Sequence, residues 1–195
     1  FDNYNVNVIA SETLDGKEVD YYLLTVQGRN MNAPFDEKIV DIDMVFVNED
    51  GEEEKLFGYV QEGSLYLNGD QDGQELTKDT FARSGFDFNV KGTLEVLPFF
   101  NFPEEWIEER SAHDVDEDKN YTVAFSSIDT PELLEHVVNA LNVVYKDIKV
   151  EDLESAKVSY DVSKKADIIT MVVDGHYKDG RILNLSFTVE DLDVD

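Results

Sequence analysis

AKVSYDVSKKADIITMVVDGHYKDGRILNLSFTVEDL, residues Ala156 to Leu192, reads as three strands joined by two tight turns. Val158, Tyr160 and Val162 alternate with Lys157, Ser159 and Asp161. Ile169, Met171, Val173 and Tyr177 share a second face, with Gly175 in step between them. Leu183, Leu185, Phe187 and Val189 alternate with Asn184, Ser186, Thr188 and Glu190. A period of two puts one row of side chains in a dry core and the other in water, the mark of a sheet with one buried face. Ser163-Lys164-Lys165-Ala166 and Lys178-Asp179-Gly180-Arg181 supply the turns, the second with the Asp-Gly pair that tight hairpins favour.

The same pattern opens the chain. Tyr4 to Ala10 alternates as a strand, Asp15-Gly16 turns it into a longer strand over Val19 to Gly28, and Met31 to Asp36 reads as a loop. Ile39 to Val47, Leu56 to Val60 and Leu65 to Leu67 follow, separated by Asp50-Gly51 and Glu62-Gly63. Five short strands with turn chemistry between them predict an antiparallel meander on one curved sheet or open barrel. From residue 69 to 120 the pattern breaks into an irregular insertion. Thr77 to Ser84 and Glu104 to Ala112 read as short helices, and Ser111 to Asn120 as a polar, acidic loop. Tyr121 to Ser126 resumes as a strand. Asp129-Thr130-Pro131-Glu132 then announces a helix, with a polar cap, Pro in the first turn and Glu placed to bond back. Leu133, Val137, Ala140, Leu141 and Val144 form its apolar stripe, widened by Leu134 and Val138, opposite Glu132, Glu135, His136, Asn139 and Asn142.

These elements predict an α+β fold in one domain over residues 1–195. A strongly curved antiparallel sheet, a half-barrel, wraps one main helix over Thr130 to Asn142, with short helices in the insertion.

Composition narrows the function. With 16 Lys and Arg against 44 Asp and Glu in 195 residues, the formal net charge is −28. Such a field repels phosphates and anionic membrane surfaces and attracts cations or a basic protein partner. A hydrophobic content of 42%, with 12 Phe and 9 Tyr, separates the chain from disordered acidic tails. Cysteine is absent, which removes disulfides, thiolate nucleophiles and Cys-based metal sites. No apolar run reaches the length of a membrane span.

Catalytic signatures are missing. His113, His136 and His176 are scattered without metal-ligand spacing, and no nucleophile elbow, phosphate loop or dinucleotide fingerprint occurs. Carboxylates are so frequent that drawing a glycosidase pair distinguishes nothing. No catalytic residue, metal ligand or cofactor is assigned. The run Asn68-Gly69-Asp70-Gln71-Asp72-Gly73-Gln74-Glu75, continuing to Asp79, places oxygen side chains at alternate positions, as a calcium loop does. Glu75 replaces the apolar residue such a loop carries next, and the preceding strand replaces its helix, so a hairpin turn is the better reading. Asp114, Asp116, Asp118 and Asn120 repeat the spacing without the glycine, as a solvated acidic loop would.

The aromatic run Phe99, Phe100 and Phe102, with Trp106 and Ile107 following, is the candidate ligand-binding site. These rings suit a concave apolar pocket, though rings of this kind more often plug a core.

The order of parts, with the terminal segment from Val158 and the hairpin GSLYLNGDQDGQ, resembles unclosed-barrel lipoproteins of the LolA and LppX type, closest to their Gram-positive relatives. The resemblance implies a curved sheet around helices with an apolar cavity for a lipid or acyl chain. It further implies an extracytoplasmic, non-enzymatic binding protein at the cell surface, monomeric, and held to the membrane only through an upstream lipid anchor. The alternative class is an acidic surface module that recognises a basic partner or cations.

Overall fold

The computed structural model describes residues 2–48, 50–69, 72–77, 109–115, 118–127, 131–145, 148–162 and 168–193. Among these residues eleven strands make one sheet: β1 (Tyr4–Leu14), β2 (Lys17–Arg29), β3 (Ile39–Val47), β4 (Glu53–Gln61), β5 (Ser64–Leu67), β6 (Gln74–Glu75), β7 (Glu109–Val115), β8 (Asp118–Ser127), β9 (Leu153–Val162), β10 (Ile168–Tyr177) and β11 (Ile182–Asp191). The described helical elements are α1 (Pro131–Val144) and two 3-10 turns, η1 (Phe35–Glu37) and η2 (Val150–Asp152).

Every neighbouring pair is antiparallel, in the order β6-β5-β4-β3-β2-β1-β11-β10-β9-β8-β7. Strands consecutive in the chain thus lie side by side, except β6 and β7, and β1 and β11 join first to last in the middle of the sheet. That seam runs from Tyr4 opposite Asp191 to Thr13 opposite Ile182. Asp193 pins its end: its carboxylate accepts the backbone N–H of Asp2 (2.5 Å) and Asn3 (2.8 Å) and the Asn3 side-chain amide (2.5 Å). β6 and β7 are the two edges. The turns follow the sequence signals, with Asp15 and Gly16 at φ 52° and 75°, and Glu62 and Gly63 at 51° and 71°, the mirror-image turn that suits twisted hairpins.

The dry face is built by the period of two. Tyr4, Val6, Val8 and Ala10 of β1 are buried, flanked in register by Val26 and Gly28 of β2 and by Leu185, Phe187 and Val189 of β11. Val40, Ile42 and Val60 extend the core across β3 and β4, and Ile169, Met171, Val173 and Tyr177 across β10.

Two expectations are corrected. The α+β fold, a sheet wrapped around a main helix, is overturned, because the architecture is almost wholly antiparallel sheet. Among described side chains, α1 gives the core only Val137 and Val138, while the strands supply most of the rest. Dimensions explain why. A helix of 14 residues is about 21 Å long and roughly 10 Å wide, whereas eleven strands about 4.8 Å apart span about 50 Å. So short a helix cannot organise so broad a surface, and it packs on β9 and η2 instead. Its polarity does follow the stripe: Val137 and Val138 are buried, Leu134 is half-buried, and Glu132, Glu135, Asn139 and Asn142 are exposed. The side chains of Leu133, His136, Ala140, Leu141 and Val144 lie outside the description.

The second correction concerns residues 109–120. The end of the expected Glu104–Ala112 helix and the acidic loop after it are the hairpin β7–β8, paired from Glu109 opposite Ala124 to Val115 opposite Asp118. Strand pairing satisfies these backbone groups whatever the local acidity, which is how tertiary context overrides propensity. Residues 104–108 and the expected helix beyond Thr77 lie outside the described residues.

Candidate functional site

Along β1 the inward positions run Tyr4, Val6, Val8, Ala10 and then Glu12, so the period of two carries a carboxylate into the core. Glu12 is 1% exposed, the one buried charged residue among those described. Three donors meet it. Tyr177 Oη donates to Oε1 at 2.7 Å, Tyr145 Oη to the same oxygen at 3.3 Å, and Arg181 Nη1 to Oε2 at 2.8 Å. The Tyr145 phenol also lies 3.4 Å from Asp20 Oδ2, so one proton serves two carboxylates. A buried carboxylate in an apolar sheet persists only with partners of this kind.

Three parts of the fold converge to make the cluster. Tyr177 and Arg181 flank the β10–β11 turn, closed by Tyr177 N–H to Arg181 O at 2.9 Å. Tyr145 follows the last turn of α1 and meets the Tyr22 ring edge-on at 5.4 Å between centroids. Irregularities lie beside the key residues: the β1–β2 register shifts between Glu12 and Thr13, and the β10–β9 register between His176 and Tyr177. Bulges at such places re-aim side chains that a regular ladder would send elsewhere. The guanidinium of Arg181 lies 4.3 Å over the Tyr177 ring and also donates through Nε to Asp179 Oδ2 at 2.8 Å.

Electrostatics define what these groups can do. Burial raises the phenols of Tyr145 and Tyr177 far above the ordinary tyrosine range, and the Glu12 carboxylate raises them further. Burial also raises Tyr22. All three are neutral hydrogen-bond donors at physiological pH, not bases or nucleophiles. Hydrogen bonds from the Arg181 backbone and side chain lower Asp179. Arg181 is raised because its bonds to Asp179 and the charge of Glu12 outweigh its desolvation. The cluster therefore holds charge in place, with the geometry of a clasp and polar rim.

The inner face above this rim is graded. At the far end of β2–β4, Val26, Gly28, Val40, Ile42, Gly58 and Val60 are buried. Towards the cluster, Tyr22 and Leu24 of β2, Met44 and Phe46 of β3 and Leu56 of β4 are only half-buried, though they occupy the same inward phase. Glu54, exposed and opposite Phe46, and Asp20, opposite Glu12, stand at the rim. Large apolar side chains at this end of the dry face thus keep part of their surface in water, with carboxylates at its border.

The sequence-based candidates Phe99, Phe100, Phe102, Trp106 and Ile107 lie outside the described residues. So do Asp70, Gln71 and Asp79 of the acidic loop, whose Asn68 and Gly69 form a turn after β5 at φ 51° and 81°. Among the described residues no group of His, Asp and Glu is arranged to hold a metal ion. Sequence reading missed Glu12, Tyr145 and Arg181. The available signal was phase: Glu12 falls on the apolar row of an alternating strand, where a charge needs a partner.

No family model and no curated protein matches the chain. Rv2717c from M. tuberculosis is a similar solved structure, 9% identical, covering 96% of this chain and 90% of that one at a TM-score of 0.27. An N-terminal dehydratase from a difficidin assembly line is 10% identical over 97% of this chain and 78% of that one, at 0.17. A protein described as an oleoyl thioesterase from Lactobacillus plantarum is 11% identical over 98% of this chain and 76% of that one, at 0.15. At TM-scores this low the likenesses carry no argument about fold, activity or substrate.

Proposed function

We infer that this protein is a non-catalytic, extracytoplasmic binding protein that takes a ligand with an apolar chain at the half-buried end of the inner face of β2–β4. The observation that carries the reading is the burial gradient: Leu24, Met44, Phe46 and Leu56 hold core phase yet are only half-buried, while the same rows are closed one register level away. A ligand chain laid there removes apolar area from water at about 25 cal/mol per Å², or about 0.8 kcal/mol per methylene. The rim carboxylates Asp20 and Glu54 favour a ligand whose exposed end is cationic or a neutral donor. They disfavour a free carboxylate. The phenols, which keep their protons, and the fixed ion pair support a binding role.

Titration with an alkylamine series tests this. Affinity is expected to rise about fourfold per added methylene, the ratio that 0.8 kcal/mol sets. Phe46→Asp, which puts a charge on the apolar wall, is expected to weaken binding by about tenfold or more. Absence of binding at millimolar ligand by native mass spectrometry, or affinity indifferent to chain length, refutes the reading.

A further inference from the structure

The opposite, outward face of the sheet carries a second feature. That face is mixed: Thr25 Oγ1 donates to Asn7 Oδ1 at 3.0 Å and the Thr170 and Thr188 hydroxyls pair at 3.1 Å, while Ile9, Leu23 and Val45 lie across from one another as an aliphatic row. On β4 and β5 it turns aromatic. Phe57 is 49% exposed and Tyr59 is 36% exposed. Tyr59 stacks on Tyr66, its partner across the β4–β5 ladder, with ring centroids 4.7 Å apart and planes 13° from parallel. The stack abuts Gly73, where a Cβ would fall 2.6 Å from the Tyr66 ring as it now lies. Such rings exposed together on a sheet face mark an interaction site more often than chance.

Carboxylates border the rings in register. Exposed Asp43 lies directly opposite Phe57, and Asp41, ion-paired with Arg29, lies opposite Tyr59. Exposed Asp72 and Glu75 lie on the far side of β5. Ring faces and carboxylates attract the same kind of group, a cation desolvated on one side. Phe57 and Tyr59 are two residues apart on one strand, about 6.7 Å, which is also the spacing of alternate side chains in an extended peptide.

We propose that this face of β3–β5 binds an extended basic peptide segment of a protein partner, with Lys or Arg at alternate positions seated over Phe57 and over the Tyr59–Tyr66 stack. The net charge of −28 disfavours an anionic occupant and strengthens the encounter with a cationic one. This site lies on the other side of the sheet from the apolar end described above and does not depend on it.

Isothermal titration with an octapeptide alternating Lys and Thr, against its isomer with the lysines in one block, is the test. The alternating peptide is expected to bind about fivefold tighter or more, and affinity is expected to fall steeply between about 50 and about 300 mM salt. Phe57→Ser and Tyr59→Ser, checked for an unchanged melting curve, are each expected to weaken it about tenfold, and Asp43→Asn severalfold. Equal affinity for the two peptides, or full binding by both ring variants, overturns the proposal in favour of unspecific charge attraction. So does tighter binding of a neutral oligosaccharide that is lost in Phe57→Ser, which makes the rings a sugar platform. Should the ring variants fail to fold, line broadening of the Phe57 and Tyr59 amide signals on peptide addition decides the question in the native chain, and its absence overturns the proposal.

Discussion

Glu12 and Arg181 form the ion pair on which the site depends, and the two ends of the pair are unequal. Glu12 is fully buried while Arg181 keeps about a third of its side chain in water. Removing the arginine strands a buried carboxylate; removing the carboxylate's charge leaves a guanidinium that water can solvate. Arg181→Met is therefore expected to cost about 3 kcal/mol in urea unfolding. Glu12→Gln, which keeps an oxygen for the two phenols, is expected to cost about 1 kcal/mol. If both substitutions are made together, the loss should resemble that of Glu12→Gln alone, because no unpaired charge is then left inside.

The phenols around Glu12 give a pH dependence whose sign is fixed. Tyr145 and Tyr177 have folded-state values raised by burial and by Glu12, so the folded chain keeps their protons to higher pH than the unfolded chain does. Their contribution is complete below about pH 10, the unfolded value, and drains away as pH climbs above it towards the folded values. Absorbance titration of tyrosinate is expected to show these two ionising last, together with unfolding, and Tyr145→Phe with Tyr177→Phe should flatten the alkaline slope. Asp193 works in the other direction. Against its desolvation, the N–H groups of Asn3 and Asp2 lower its folded value, so its clamp is present above about pH 4 and is lost as pH falls. Asp193→Asn should remove that acid dependence from the exchange rates of the Asp2 and Asn3 amides.

Among the elements, the β1–β2 ladder shows how closely this sheet is packed. Tyr4, wholly buried, faces Gly28 in register, and a Cβ on Gly28 would lie 2.2 Å from the Tyr4 ring. The ring lies across the β2 backbone and fills the space a side chain would take. Gly28→Ala is expected to destabilise by about 1–3 kcal/mol in urea unfolding. Tyr4→Leu in the same chain should recover part of that loss.

Element boundaries were legible where period and turn chemistry agreed. Ile39–Val47 is the strand its alternation predicts, and the three terminal strands appear where Val158, Ile169 and Leu183 place them. Tyr121 to Ser126 is legible as the body of β8, but β7 and the start of β8 are hidden, since a run of acids such as Asp114, Asp116 and Asp118 has no apolar row to reveal a strand. Their pairing comes from the neighbours that accept their backbone.

Across the whole molecule, the amino-acid sequence by itself determined the alternation of wet and dry rows, the Asp-Gly and Glu-Gly turns, the amphipathic polarity of α1 and the field of a strongly acidic surface. Each of these is a local property, set by neighbours a few residues away or by simple addition of charge. Only the tertiary structure decided that β1 meets β11, and that Glu12, Tyr145, Tyr177 and Arg181 come together from three distant parts of the chain. It also decided that the inward residues of β2–β4 are buried at one end and only half-buried at the other, and that α1 is a minor partner to the sheet. These depend on which strands pair and on the widths of the surfaces that must cover one another. A buried charge finds its partners only after the strands that carry it have been placed.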